Sequence, residues 1–156
     1  MVGAFFCLEG GGPHLGAWQE RISALGPEVR ILSGESKIRY HAACAIASNL
    51  MCALVQESLD LLETCGFSGT DALRALAPLM RSNLEHLIQD GPTAALTGPV
   101  ERGDAGTVAK HLACLPDPEA RELYRAVSLE LVRIARRRHP ERSCRSLEDL
   151  LKKESE

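Results

Sequence analysis

The chain has 156 residues, a length that suits one domain, or one domain and a fragment of another. Hydrophobic residues make up 45% and aromatics only 4%, so any core must come from Leu, Ala, Val, Ile and Met, a composition that favours helix packed on helix. A formal charge of −3 and a pI near 6.0 argue against general nucleic-acid binding.

In chain order, residues 2–8 read as a short buried strand. Residues 13–25 carry helical spacing through Leu15, Trp18, Ile22 and Leu25, and Gly26-Pro27 ends that helix before a second strand at 29–32. Strand, helix and strand in that order imply a parallel pair joined by a crossover. Two short parallel strands leave their faces and outer edges uncovered. The segment is therefore expected to be the last piece of a larger α/β domain. The turn Gly10-Gly11-Gly12-Pro13-His14-Leu15-Gly16 follows a strand and opens a helix, as a phosphate-binding loop does. Against that use, Pro13 lacks an N–H donor, and the place for a ribose-binding acid about 20 residues on holds Arg30. A tight structural turn is the expectation.

Residues 35–65 form the longest expected helix, with Ser36 able to cap its start, Gly66 suited to C′ and no proline between. Between His41 and Gln56 there is no charged residue. That apolar run is too short for a bilayer, which needs ~20 such residues, and suits a helix buried nearly all round. A 30-residue helix is about 45 Å long, more than this chain can easily bury alone. A homodimer built on this helix is the expected solution.

The next helix starts at Ser68 or Thr70 and carries an apolar stripe of Leu73, Leu76, Leu79, Met80, Leu84, Leu87 and Ile88. Pro78 is expected to kink or split it, and Asp90-Gly91-Pro92 to stop it. Residues 93–96 suit a helical turn, and Thr97-Gly98-Pro99 is a break. Asp104 caps a helix over 105–115, and Asp117-Pro118-Glu119 opens another that runs to about 138, burying Leu123, Val127, Leu131 and Ile134. Arg136, Arg137 and Arg138 match the negative end of that helix dipole. Ser146-Leu147-Glu148-Asp149 resembles a capping box for a last short helix, and residues 152–156 should fray.

Six cysteines without a C-x-x-C pair suggest neither a disulfide framework nor a zinc site and fit a reducing cytoplasm. The opening apolar stretch lacks the basic flank and length of a signal peptide. Histidines 14, 86, 111 and 139 are scattered, so no metal site is expected.

The polar constellation of interest opens the long helix. Lys37, Tyr40, His41, Cys44 and Ser48 fall within roughly a third of its circumference, with Asn49 beside them. Lysine and histidine at i, i+4 are a pair able to protonate and orient a carbonyl oxygen. The same residues equally read as a snorkelling Lys37 and Tyr40 beside a hydrogen-bonded core His41, with Ser48 and Asn49 bonding the backbone. Thr97-Gly98-Pro99 with Arg102-Gly103-Asp104 forms a compact polar loop. Arg102 there suits a carboxylate or phosphate, and a plain helix connection fits as well.

Taken as an ordered set, Lys37-x-x-Tyr40-His41-Ala42-Ala43, Ser48-Asn49, Gly91-Pro92-x-x-Ala95-Leu96-Thr97-Gly98-Pro99 and Arg102-Gly103-Asp104-x-x-Thr107-Val108-x-x-His111-Leu112 carry a resemblance. They resemble the helical C-terminal domain of an uncharacterised family of Rossmann-like, NADP-dependent oxidoreductases. The resemblance implies a mainly α fold: a helical bundle of the 6-phosphogluconate dehydrogenase C-terminal type, preceded by a short strand–helix–strand remnant of an α/β domain. It implies a boundary between residues 1–33, the remnant, and 34–156, the helical dimerisation and substrate-side domain. It also implies catalytic roles for Lys37 and His41, and substrate contacts from Tyr40, Ser48, Asn49, Thr97 and Arg102. In related hydroxyacid dehydrogenases an asparagine follows the lysine by one turn, where His41 stands here, and the family's G-x-G-x-x-G is missing. NADP is thus implied by the resemblance alone and is not expected to bind this chain by itself. The reading is a dimerising, substrate-side domain for a small carbonyl or hydroxy-acid substrate, inactive alone, cytoplasmic, and bound to neither nucleic acid nor membrane. The alternative is a non-catalytic helical homodimerisation module.

Overall fold

Strand-forming Phe5-Phe6-Cys7-Leu8-Glu9 and Glu28-Val29-Arg30-Ile31-Leu32 pair in parallel, with Phe5 opposite Glu28 and Glu9 opposite Leu32. The computed structural model describes residues 5–153; residues 2–4 of the expected strand and 154–156 of the expected frayed end at 152–156 lie outside them, while Lys152 still belongs to the last helix. Among the described residues two strands and eight helices follow in the order β1 (Phe5–Glu9), α1 (Leu15–Ser23), β2 (Glu28–Leu32), α2 (Gly34–Ala47), α3 (Asn49–Thr64), α4 (Gly69–Ala95), α5 (Pro99–Arg102), α6 (Ala105–Cys114), α7 (Pro118–Arg138) and α8 (Arg145–Lys152). The chain is mainly α, with a short strand–helix–strand unit first.

Backbone packing divides the chain into two compact units, residues 1–56 and 57–156, with the boundary inside α3. In the first unit α1 packs on β2. The Gln19 side-chain amide donates to the Val29 carbonyl (3.2 Å), tying the crossover helix to its sheet. In the second unit a core gathers Val100, Val108, Leu112, Leu115, Val132, Leu147 and Leu151 from α5 to α8.

The long apolar helix is two helices, not one. Ser48 departs from helical geometry (φ −122°, ψ −69°) and separates α2 from α3. No glycine or proline marks the break; its only sequence sign is the polar pair Ser48-Asn49 in an apolar run. The start at Gly34 is one residue before the expected 35, but the N-cap is Ser33 rather than Ser36, and its Oγ accepts from the Ser36 N–H (3.2 Å). The far end follows expectation. Gly66 adopts φ 90°, and the Phe67 N–H donates to the Leu62 carbonyl (3.2 Å), the Schellman pattern that needs a left-handed residue.

In α4 the backbone stays helical through Pro78. The interruption falls at Gly91 (φ 76°), whose positive φ lets Pro92 start a fresh turn. Ser68, Asp104 and Asp117 cap α4, α6 and α7 as their sequences require, each accepting from a backbone N–H three residues on. At α8 the N-cap is Cys144, with no side-chain cap bond, so the expected capping box on Ser146 does not form. The buried face of α7 carries Ala120, Ser128, Val132 and Ala135. It lies about a quarter turn from the expected Leu123, Val127, Leu131 and Ile134, which are half-buried. Small residues let α4, α5 and α8 approach α7 on that side.

Candidate functional site

Within residues 1–56 the start of α2 lies against the end of β1. Lys37 Nζ donates to Glu9 Oε2 in an ion pair whose side chains remain 59% and 39% exposed. The other Glu9 oxygen lies where a Cβ on Gly34 would be 3.5 Å away, so the carboxylate sits at the first turn of α2, where the helix dipole favours negative charge. Two residues back along β1, on the same face of the strand, is Cys7. One turn beyond Lys37 is Tyr40, and a turn further Cys44. Both thiols neighbour the Tyr40 hydroxyl, and their hydrogen bonding, Cys7 first, pushes its ionisation up to about 12.

Sequence reasoning placed Lys37, Tyr40 and Cys44 on one stripe but not the groups opposite them. Glu9 and Cys7 lie roughly 30 residues away, and only the parallel β1–α1–β2 path returns the chain to them. The remaining expected residues of this unit are less engaged. His41 is exposed. Ser48 terminates α2 and its carbonyl accepts from the Cys52 thiol (3.9 Å), while Asn49 is exposed at the start of α3. An open depression over α1 is lined by His14, Ala17, Trp18 and Arg21, with the Arg21 guanidinium 5.6 Å from the Trp18 ring centre.

Residues 57–156 hold Thr97 and Arg102, both exposed, on the loop around α5. That loop is held from the far end of α7. Arg138 donates to the carbonyls of Leu96 (3.0 Å) and Ala94 (3.4 Å), His139 Nε2 meets Glu101 Oε1 (2.8 Å), and Arg142 donates to the Glu101 carbonyl. The Glu101 carboxyl is held below the usual range, chiefly by His139 and then by the charges of Arg138 and Arg142. Asp104 is likewise lowered, by the hydroxyl and then the N–H of Thr107. Arg136 pairs with Glu148 on α8 (2.7 Å). The basic end of α7 thus has particular partners beyond the helix dipole. A second link joins α6 to α7: His111 Nδ1 lies 2.8 Å from the Tyr124 hydroxyl, and burial raises the Tyr124 ionisation.

Among the described residues no group of three or more His, Cys, Asp and Glu is placed to hold a metal ion. The β1–α1 turn does not fit a dinucleotide. Pro13 offers no donor, the Leu15 N–H is directed to the Gly12 carbonyl (3.4 Å), and β2 ends in Arg30-Ile31-Leu32 with no carboxylate for a ribose.

Residues 4–131 match the family described as a domain of unknown function, DUF2520, and the chain belongs to that family. No curated protein and no solved structure matches the chain.

Proposed function

We propose that this chain is the dimerising, substrate-side part of an NADP-dependent oxidoreductase of the 6-phosphogluconate dehydrogenase C-terminal type. In that reading residues 1–33 close a Rossmann-like domain and 34–156 form the helical one, a division by architecture rather than by compactness. One observation supports it above others: the Lys37 stripe of α2 meets the carboxyl end of a parallel strand. Open α/β folds bind their ligands at that edge. Lys37 and His41 are the proposed groups to orient and protonate a substrate carbonyl, with Tyr40, Ser48 and Asn49 of the same unit as proposed substrate contacts; Thr97 and Arg102 are proposed as substrate contacts from the family resemblance alone. The turn's misfit to a dinucleotide means that NADP would be held by residues other than these, so the chain alone is not expected to bind it.

The dimer rests on exposed apolar surface. Helices α2 and α3 contain no buried residue, and Ile38, Ile46, Leu50 and Met51 lie open. Gly34–Thr64 is long and apolar enough to cross a membrane by length and composition, a test that the core helix of a soluble assembly also passes. The uncharged stretch between Arg39 and Glu57 is only about 26 Å long, against a hydrocarbon core of ~30 Å. Ser48 and Asn49 interrupt it at the middle. A second copy of the chain is the better cover, and the protein is proposed to act in the cytoplasm.

Calorimetric titration tests the site. Small keto or hydroxy acids should bind weakly, lose binding in Lys37→Ala and gain it in Glu9→Gln, where no carboxylate competes for the ammonium. Micromolar NADPH binding, or no effect of either substitution, would sink the reading. The alternative of a non-catalytic dimerisation module is favoured by the Glu9 carboxylate already occupying Lys37. It is the outcome if the dimer forms and no acid binds.

A further inference from the structure

Antiparallel packing of α8 on α7 leaves a groove between the two helices. Arg136, near the end of α7, pairs with Glu148 of α8 (2.7 Å), and residues 151–153 then return alongside the first half of α7. The groove there has a volume of about 390 Å³, at the small end of ligand sites, which run ~300–1,000 Å³. Its two ends differ. Ala126 and Leu129 of α7 and Leu151 of α8 make an apolar end, whose wall is fixed because Leu151 belongs to the buried core and Leu129 packs against it. Arg125, Lys152 and Lys153 make a cationic end, with Glu122 the one carboxylate among the described residues lining it. Arg125 is half-buried, with its Nε inside the protein. Elsewhere in this unit Arg74, Arg133, Arg136 and Arg145 each pair with a carboxylate. Lys152 and Lys153 form no such pair among the described residues. The dipole of α8 favours lysines at its end, but it gives no reason for the apolar hollow beside them.

We propose that this groove is a binding site for a small amphiphilic carboxylate, an acid head on a short hydrocarbon body. The head lies among the Lys152 and Lys153 ammonium groups and the Arg125 guanidinium, whose planar fork suits a carboxylate. The body lies over Ala126, Leu129 and Leu151, which takes apolar area of ligand and protein out of water together. Water excluded by the body also strengthens the charge contacts at the head. Glu122 in the same lining weighs against a doubly charged phosphate head, since like charges repel. The groove lies within residues 57–156 and shares no residue with the proposed Lys37 site, so it stands or falls apart from the oxidoreductase reading.

The test titrates the isotope-labelled full chain with sodium octanoate and follows the backbone amide resonances. Glu154 and Glu156 stay in place, so competition from those carboxylates is contained in the result. Saturating shifts are expected at Ala126, Leu129, Leu151 and Lys152. Acetate, which lacks the body, and octanol, which lacks the charge, should each bind about tenfold more weakly or worse. Replacing both lysines, Lys152→Gln with Lys153→Gln, should weaken octanoate binding about fivefold or more. Ala126 is exposed, so Ala126→Trp should fill the groove and abolish binding without entering the core. Thermal unfolding checks that both variants fold. Shifts confined to the exposed faces of α2 and α3, octanol binding as tightly as octanoate, or undiminished binding in both variants would overturn the proposal.

Discussion

In residues 57–156 the helices α5 to α8 close around Val108, Val132, Leu147 and Leu151, each no more than 2% exposed. In residues 1–56 the helical elements contain no buried side chain, and Phe5, Trp18, Ile38, Ile46, Leu50 and Met51 are all exposed. Composition alone would predict the reverse, since residues 1–56 carry only 8 of the 39 Asp, Glu, Lys and Arg residues and are the less charged region. What differs is supply of partners. Four helices of different length can surround one core, whereas a two-stranded sheet and two consecutive helices cannot cover each other's faces. The same shortage reaches α4, where Leu73, Leu79, Leu84, Leu87 and Ile88 are exposed. A region with its own core should respond to mutation through folding, and one without through association.

The largest expected effect tests the closed region. Leu147→Ala removes a fully buried side chain from the centre of the core and should cost about 2–5 kcal/mol in denaturant unfolding. A loss below about 1 kcal/mol would mean that the α5–α8 core is not where the stability lies, and the contrast between regions would fall.

Next comes the open region. Ile46→Asp or Met51→Asp should weaken self-association by more than about 2 kcal/mol, roughly 30-fold. Sedimentation equilibrium at ~10 μM, where an obligate dimer stays associated, reads it. If the unmodified chain sediments near 16.9 kDa and both variants leave its stability within ~0.5 kcal/mol, the exposed face has no partner copy. Flotation of the chain with vesicles would hand that face to a membrane instead.

A smaller change examines a local rule. Asp117→Ala removes the acceptor of the Ala120 N–H (2.7 Å) and should cost about 1 kcal/mol, in the closed region only.

That cap also shows what could be read in the sequence. Ser68, Asp104 and Asp117 act within three residues of themselves, so their roles are written locally. Gly66, Gly91 and the order strand, helix, strand are local in the same sense. Where two candidates compete, locality fails: Ser33 and Ser36 are three apart, and only the course of the chain out of β2 selects Ser33. The break at Ser48 had no glycine or proline to announce it. Face selection on α7 turned on which side offers small residues to three neighbours, a property of the assembly of helices. The candidate site was half legible: the Lys37, Tyr40 and Cys44 stripe follows from helical periodicity, whereas Glu9 and Cys7 reach it through a crossover. The grip of Arg138, His139 and Arg142 on the α5 loop is likewise non-local, with His139 and Glu101 separated by 38 positions.

The smallest expected effect concerns that grip and depends on pH. The Glu101 carboxyl is lowered in the folded chain, first by its hydrogen bond with His139 and then by the charges of Arg138 and Arg142. A carboxyl lowered by folding favours the native state at pH values above its unfolded ionisation. That contribution is lost as the pH falls through the folded value, because both states then bind the proton. Glu101→Gln should therefore destabilise the closed region at neutral pH by less than about 1 kcal/mol, the scale of a partly exposed ion pair. The gap to the unmodified chain should close in acid below the ordinary carboxylate range. Thermal unfolding of both proteins across that range measures it. A gap that persists unchanged at the acid end would show that the Gln variant loses packing rather than charge, and the α5 loop would then be held by Arg138 and Arg142 through the carbonyls alone.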